Sequence, residues 1–339
     1  MDQTLFQLSF TGYGLACMLA MAVGLGLCLI GPRRQGPGWS GFVRFAECVM
    51  FFTLLCARLM FVLPDLLMGL LSRADIIKEH NSIFLDAIGS AVPALFFWNG
   101  GYSLAGAIPG AILGAKLAEK WTRVPAGFWR DRLALGLPAA ILIERAAEWD
   151  TGLGTGMETT APWLNRLGFT DHPLWLYEAL LALVVLGVMI ALTCLRRRLR
   201  IAPGDLLRLF LICFCLPLAA IEALRPLTGH MVIHFVNVTQ VMAAVMAMCV
   251  WVRWWIRLLR NRSRPKSLKI TLLSAGAVLT LAALGAAVYC IFGMEKDWVS
   301  RGTAYLLIAL CMAVIGCIAL MLWGFSRREG ADANGTQKD

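Results

Sequence analysis

Two arginines stand beside glutamates at helical spacing in an otherwise apolar chain. Arg145 follows Glu144 and precedes Glu148, and the two glutamates are placed on one helix face at i,i+4. Glu222 and Arg225, three apart, also share a face. A guanidinium matches phosphate in a bidentate way, so two arginines with carboxylates under an apolar roof suit an anionic phospholipid headgroup. His172, Tyr177 and Glu178 open another apolar run. An imidazole there has the right intrinsic pKa for proton transfer. Tyr13, Asn99, Ser103, His230, His234, Asn237 and Gln240 fall near the ends of further apolar runs. Ionisable residues at membrane depth are functional candidates by default.

Each of these residues also has a purely structural reading. Arg145 and Arg225 can snorkel to headgroups. His172, just before Pro173, can cap a helix start, and Arg58 can pair with Glu47 or Asp65. His230 and His234 have i,i+4 spacing but no third ligand nearby in sequence, so no metal site is expected. The gathering of several polar groups on one leaflet favours a shared site.

The stretch Trp98 to Gly110, WNGGYSLAGAIPG, lies between two apolar runs. Gly100, Gly101, Gly106 and Gly110 remove side chains where a backbone or ligand comes close. Irregular backbone at membrane depth requires surrounding protein or a water-filled cavity. One reading makes the stretch a cavity entrance, with Ala105 to Glu119 as the helix leaving it. The other makes it a helix-packing segment, because Gly106 and Gly110 are four apart.

The elements that must position these groups follow from hydropathy. Hydrophobic residues make up 59% of the chain and charged residues 15%, which excludes a soluble domain. Nine spans are expected, near 11–30, 43–64, 101–119, 131–147, 172–195, 204–224, 233–252, 270–292 and 303–324. The fold class is therefore an all-α polytopic membrane protein. Met1–Ile30 lacks a basic n-region and a small-residue cleavage site, so it reads as the first span. The eleven cysteines lie mostly in apolar runs without ligand spacing and read as soft core filler.

The net charge of +10 resembles a nucleic-acid signal until its distribution is traced. Arg33, Arg34 and Arg44 follow the first span, and Lys116, Lys120, Arg123, Arg130 and Arg132 surround the loop after the third. Arg196, Arg197, Arg198 and Arg200 follow the fifth, and Arg253 to Lys269 the seventh. The even-numbered loops are not basic. This alternation places the N-terminus outside and the C-terminus inside, and the excess charge is then positive-inside bias plus contact with anionic membrane lipids. No nucleic-acid partner is expected. Ser263-Arg264-Pro265 separates a core, 1–262, from two further helices, 263–325, and the tail 326–339 reads as disordered and cytoplasmic.

The order of these motifs resembles the prolipoprotein diacylglyceryl transferase family. Tyr13-Gly14 looks like the YG motif of its first span, and Ala57-Arg58-Leu59-Met60-Phe61-Val62 like its ARLxYV. WNGGYSLAGAIPG resembles W-x-G-G-x-S-x-H-G-G, and HPLWLYEA, His172 to Ala179, closely matches HPxxLYEA. Glu222 to Pro226 resembles EFxRxP, and Gln240 falls at the MGQ glutamine. The matches run in order over Tyr13 to Val250, and the last two spans lie outside them because the family core has seven.

Departures are equally specific. Ala105 stands at the motif histidine and Ala107 at the second glycine. The RxGNFxNxE segment falls on Ala140 to Trp149, where Glu148 stands in for the glutamate while the arginine and asparagine positions are apolar. Arg145 is the replacement from a neighbouring turn.

The resemblance implies transfer of a diacylglyceryl group from phosphatidylglycerol to the lipobox cysteine thiol of a prolipoprotein, in the bacterial cytoplasmic (inner) membrane, with no cofactor. It implies that Arg225 holds the phosphate and Arg145 assists, with Glu148 or His172 as base. Tyr13, Asn99, Gly100, Gly101, Ser103, Tyr177, Glu178, Glu222 and Gln240 are the implied substrate-binding residues. The alternatives are a catalytically inactive lipid- or partner-binding relative, or a transferase using the same donor for another acceptor. A transporter is a weaker idea, since no inverted repeat is visible.

Overall fold

In the computed structural model, the residues described are 12–29, 38–72, 102–149, 151–152, 154–159, 161–225, 231–233, 236–261, 265–295, 298 and 300–326. The segment with Asn99, Gly100 and Gly101, the histidines 230 and 234, and the tail lie outside them.

Nine long helices among the described residues correspond to the nine expected spans. They are α1 (Gly12–Cys28), α2 (Gly38–Ser72), α3 (Leu104–Trp121), α4 (Phe128–Ala146), α6 (Leu174–Cys194), α7 (Asp205–Ile221), α8 (Val238–Arg260), α9 (Lys266–Glu295) and α10 (Arg301–Ser326). A short helix, α5 (Pro162–Arg166), lies between strands β1 (Thr155–Glu158) and β2 (Asp171–Pro173). Strands β3 (Met231–Ile233) and β4 (Val236–Asn237) precede α8. Both strand pairs are antiparallel. These hairpins are additions to the expected all-helical pattern.

Among the described residues, six helical stretches are both long and apolar enough to cross a bilayer, with mean hydropathies from 1.5 to 2.8. Large apolar side chains on them face outward: on α6, Leu180, Leu183 and Val184 are 51%, 50% and 64% exposed. Such a surface is stable only against lipid. The remaining helices α1, α3 and α4 are shorter or carry charges near their ends. The chain is an all-α polytopic membrane protein. One difference from expectation is the length of α2, which continues through position 64 to Ser72. Proline does not stop a membrane helix where neighbours or side chains re-satisfy the freed carbonyls.

The chain divides into two compact units. One comprises 1–210 and 221–242, the other 211–220 and 243–339.

In the first unit, close backbone approach holds the helices together. A Cβ on Gly106, Gly110 or Gly114 would lie 2.1, 2.3 or 2.5 Å from the carbonyl oxygens of Cys56, Phe52 and Cys48, respectively. One face of α3 therefore lies directly on the backbone of α2, the small-residue packing that replaces hydrophobic association inside a bilayer. The packing reading of Gly106 and Gly110 holds for this part of the glycine-rich stretch. The α1–α4 seam is built the same way, since a Cβ on Gly136 would lie 2.4 Å from the Gly24 carbonyl oxygen.

At the start of α4, Phe45 stacks on buried Trp129 with centroids 4.3 Å apart. Buried Asp131 accepts from Arg196 Nη2 at 2.7 Å and from the Leu206 N–H at 3.2 Å. Glu119 accepts from the Gly127 N–H at 2.9 Å and pairs with Arg130 at 3.0 Å. These carboxylates fix one end of α4 to α3, α6 and α7. The other end carries Arg145, fourteen residues on and about 21 Å away at a helical rise of 1.5 Å per residue.

In the second unit, α9 and α10 form an antiparallel pair that continues from α8. Trp254 is fully buried with its ring 6.5 Å from Trp323, and Trp251 meets Trp255 edge-on at 4.7 Å. Gly276 admits Ile318 to the α9–α10 contact.

Candidate functional site

The far end of α4 carries a second charged cluster of the first unit. Arg145 sits in its last turn. The Arg145 Nη1 donates to Glu148 Oε1 at 2.8 Å. Its Nε lies 3.0 Å from Glu144 Oε2 and 3.1 Å from Glu178 Oε2. Glu144 Oε1 in turn accepts from the Tyr13 hydroxyl at 3.0 Å, tying α1 to the cluster. The helix ends at Ala146 with Ala147 as its cap, so Glu148 lies beyond it rather than on the Glu144 face. The two glutamates meet through Arg145 instead.

Arg225 enters from the opposite side. The 3-10 turn Glu222–Leu224 ends α7 and leaves Arg225 extended just after it. Arg225 Nε donates to Glu222 Oε2 at 2.7 Å and its Nη2 to Glu222 Oε1 at 3.0 Å, a bidentate pair. The same Nη2 donates to Glu178 Oε1 at 3.1 Å. Asn237 Nδ2 donates to Glu222 Oε2 at 2.9 Å, and the Asn237 N–H donates to Gln240 Oε1 at 3.1 Å. Gln240 thus holds the start of α8 against the cluster through the backbone of Asn237.

Both arginines therefore converge on Glu178, whose side chain is 1% exposed. Neither is a surface cation snorkelling to headgroups: their side chains are 11% and 28% exposed and are engaged by carboxylates. Burial pushes the Glu148 carboxyl above the ordinary glutamate range, against the pull of the Arg145 guanidinium.

The β1–β2 hairpin forms a wall beside Glu148. Gly154, in the left-handed region at φ +69°, brings its backbone so close that a Cβ would lie 2.6 Å from Glu148 Oε2. Gly156 packs against His172 and the Leu224 carbonyl in the same way. His172 lies in β2, and Pro173, not His172, is the N-cap of α6. Its Nδ1 is 3.3 Å from the Tyr177 hydroxyl. Burial lowers the His172 pKa while Asp171 opposes the shift, so the ring is mostly neutral at pH 7.

Ser103 caps α3 through its backbone, and its N–H donates to the Ala57 carbonyl at 3.1 Å. Arg58 is buried, with its guanidinium 5.5 Å from the Phe61 ring and 5.8 Å from that of Tyr102. Ala105, in the first turn of α3, is 2% exposed. Among the described residues no group of three His, Cys, Asp or Glu side chains could hold a metal.

Ala140, where the motif arginine falls, lines an apolar cleft with Met21, Gly24, Cys28, Thr53 and Gly136. A Cβ on Gly24 would lie 3.0 Å from that of Ala140. A guanidinium here would be buried among apolar groups. Arg145, five residues on and about 7.5 Å further along the axis, reaches the polar end of α4 instead. The structure brings Arg145, Glu148, Glu178, Glu222 and Arg225 together and adds a Tyr13–Glu144 link that the sequence alone did not pair. The signal for it was the single tyrosine at one helix end and the extra carboxylate next to Arg145.

Comparison with known proteins addresses the same region. The family model described as prolipoprotein diacylglyceryl transferase matches residues 3–256, which include every residue of the cluster and stop before α9. A protein of Streptomyces griseus named phosphatidylglycerol–prolipoprotein diacylglyceryl transferase is 30% identical over 162 residues, 46% of this chain and 49% of its own length. Proteins of the same name from Frankia alni and Symbiobacterium thermophilum are each 28% identical, over 223 and 177 residues. These alignments cover 62% and 48% of this chain, and 54% and 64% of the respective relatives. The chain spans about half the length of the curated relatives it matches. With a match over most of its length and the motifs in order on one arginine–carboxylate cluster, the chain belongs to the prolipoprotein diacylglyceryl transferase family.

Proposed function

We propose that this protein transfers a diacylglyceryl group from phosphatidylglycerol to the lipobox cysteine thiol of a prolipoprotein. It works in the bacterial inner membrane, with the N-terminus and the arginine cluster on the outer side and the C-terminus inside. The observation that carries this reading is the convergence of Arg145 and Arg225 on one buried carboxylate.

In the reaction the cysteine sulfur attacks the glycerol carbon that bears the phosphate. The carbon–oxygen bond breaks, a thioether forms and glycerol phosphate leaves. Arg225 and Arg145 bind the phosphate and stabilise the charge that builds on it. The thiol proton passes to Glu148 or His172 and from there to the leaving phosphate. Tyr13 orients Arg145 through Glu144. Tyr177 orients His172, and Gln240 and Asn237 support Glu222. By the family motif, Asn99, Gly100, Gly101 and Ser103 are assigned to substrate binding. The chemistry belongs to 1–262, with the two C-terminal helices accessory.

A second reading rests on Ala105. With a buried methyl at the motif histidine, a lipid-binding relative without transfer chemistry also fits the cluster. Losing a general base typically costs about 10²–10⁴ in rate, so slow transfer is the expected behaviour of the first reading. The two separate in proteoliposomes holding radiolabelled phosphatidylglycerol and a lipobox peptide. Label on the peptide cysteine, lost with Arg225→Ala, supports transfer. No label while phosphatidylglycerol still binds supports the second reading.

A further inference from the structure

The charges of the cluster do not balance. Glu144, Glu148, Glu178 and Glu222 face Arg145 and Arg225, an excess of two negative charges. Three of the four carboxylate side chains are 6% exposed or less. Among the described residues, the other side chains hydrogen-bonded to these four carboxylates are Tyr13 from α1 and Asn237 from β4, and neither is cationic. An uncompensated carboxylate in such a setting takes up a proton rather than remain ionised.

A second observation concerns where an anion would fit. Glu178 already occupies the bridging position between the two guanidiniums, one oxygen on each. A phosphate diester that used both arginines would seek the same donors. Its arrival adds a negative charge to a cluster that already has an excess. Glu148 has the means to compensate: Oε1 stays with Arg145 while buried Oε2 has no hydrogen-bond partner among the described residues.

We infer that an anionic phosphate group enters the Arg145–Arg225 pair by displacing the Glu178 carboxylate, and that its binding is coupled to proton uptake by the cluster. This rests on the phosphate role proposed above for the two arginines. Glu178 is then a resident anion that closes the pair in the absence of ligand and sets its specificity against weakly held anions. Once displaced, its carboxylate loses two guanidinium partners, and it shares the added proton with Glu148.

The test is equilibrium binding to the full chain in phosphatidylcholine nanodiscs between pH 5.5 and 8.5. One arm uses radiolabelled phosphatidylglycerol and the other dimethyl phosphate, a soluble diester that stays a monoanion throughout this range. Uptake of one proton weakens binding by about tenfold per pH unit across the upper part of the range. Glu178→Gln removes the competitor and one negative charge, so it binds more tightly at pH 8 and with a flatter slope. Glu148→Gln, outside any helix, flattens the slope and serves where the first variant folds poorly. Coupled binding of the lipid alone identifies a headgroup site, and coupled binding of both ligands a general phosphate site. Affinity independent of pH in the unaltered protein overturns the inference, as does weaker binding by Glu178→Gln with an unchanged slope. Coupled binding without thiol labelling would refute the transferase reading alone.

Discussion

Arg145, in the last turn of α4, and Arg225, just beyond the end of α7, share the buried carboxylate of Glu178 at 3.1 Å each. Removing Arg145 leaves Glu144, Glu148 and Glu178 without their common cation. Breaking a buried pair by deleting one partner costs about 3–5 kcal/mol. The sign of the pH effect follows. Burial holds the Glu148 carboxyl above the ordinary range against the pull of Arg145, and in Arg145→Ala that pull is gone, so the protein keeps its stability below the ordinary glutamate pKa and loses it as pH increases. Unfolding in detergent at pH 5 and pH 8 is expected to show the larger loss at pH 8. Equal losses at both would mean that the carboxylates are not electrostatically held by Arg145.

The glycine seams make a sharper prediction about packing. At Gly110 a Cβ would lie 2.3 Å from a backbone oxygen of α2, whereas at Gly26 nothing lies within 4 Å. Gly110→Ala forces α3 off α2 and is expected to lower the melting temperature strongly. Gly26→Ala is expected to be neutral or to stabilise by about 0.5–1 kcal/mol through the helical preference of alanine. Similar melting temperatures for the two variants would contradict the seam.

His172 offers a pH signature in catalysis. Burial keeps its pKa below the ordinary value of about 6.5, and a base must be unprotonated to act. Transfer that uses His172 therefore has a flat rate above pH 6.5 and a falling limb below it, absent in His172→Gln. If Glu148 is the base instead, the limb persists in that variant and disappears in Glu148→Gln.

Ala105→His tests the departure from the family motif. The position is 2% exposed, so an imidazole must move its neighbours at a cost of about 1–3 kcal/mol. The expected outcome is a less stable protein with faster transfer, measured by melting temperature and thiol labelling. Unchanged stability would show room at the start of α3 that its burial denies.

Hydropathy alone located the long helices, because each needs about twenty apolar residues and little else. It stopped α2 near Pro64, where the following Asp65 breaks the apolar run while the helix continues. The hairpin from Thr155 to Pro173 was not legible, since it depends on Gly154 and Gly156 approaching Glu148 and His172, contacts that no periodicity marks. The arginine–glutamate grouping was legible because i,i+3 and neighbouring charges rarely occur at a membrane helix end without purpose. Asp131, by contrast, has only Arg130 and Arg132 as charged neighbours in sequence. Its role in joining α4 to Arg196 and the start of α7 needed the tertiary fold.

The central claim is that Arg145 and Arg225 act as one phosphate site in diacylglyceryl transfer. The direct measurement is thiol labelling from radiolabelled phosphatidylglycerol by Arg145→Ala, Arg225→Ala and the double variant. Groups acting as a unit are strongly non-additive, and loss of one charge-stabilising donor typically costs about 10²–10³ in rate. The prediction is that each single variant loses about as much as the double. Transfer that survives either substitution, or losses that simply multiply, would contradict it.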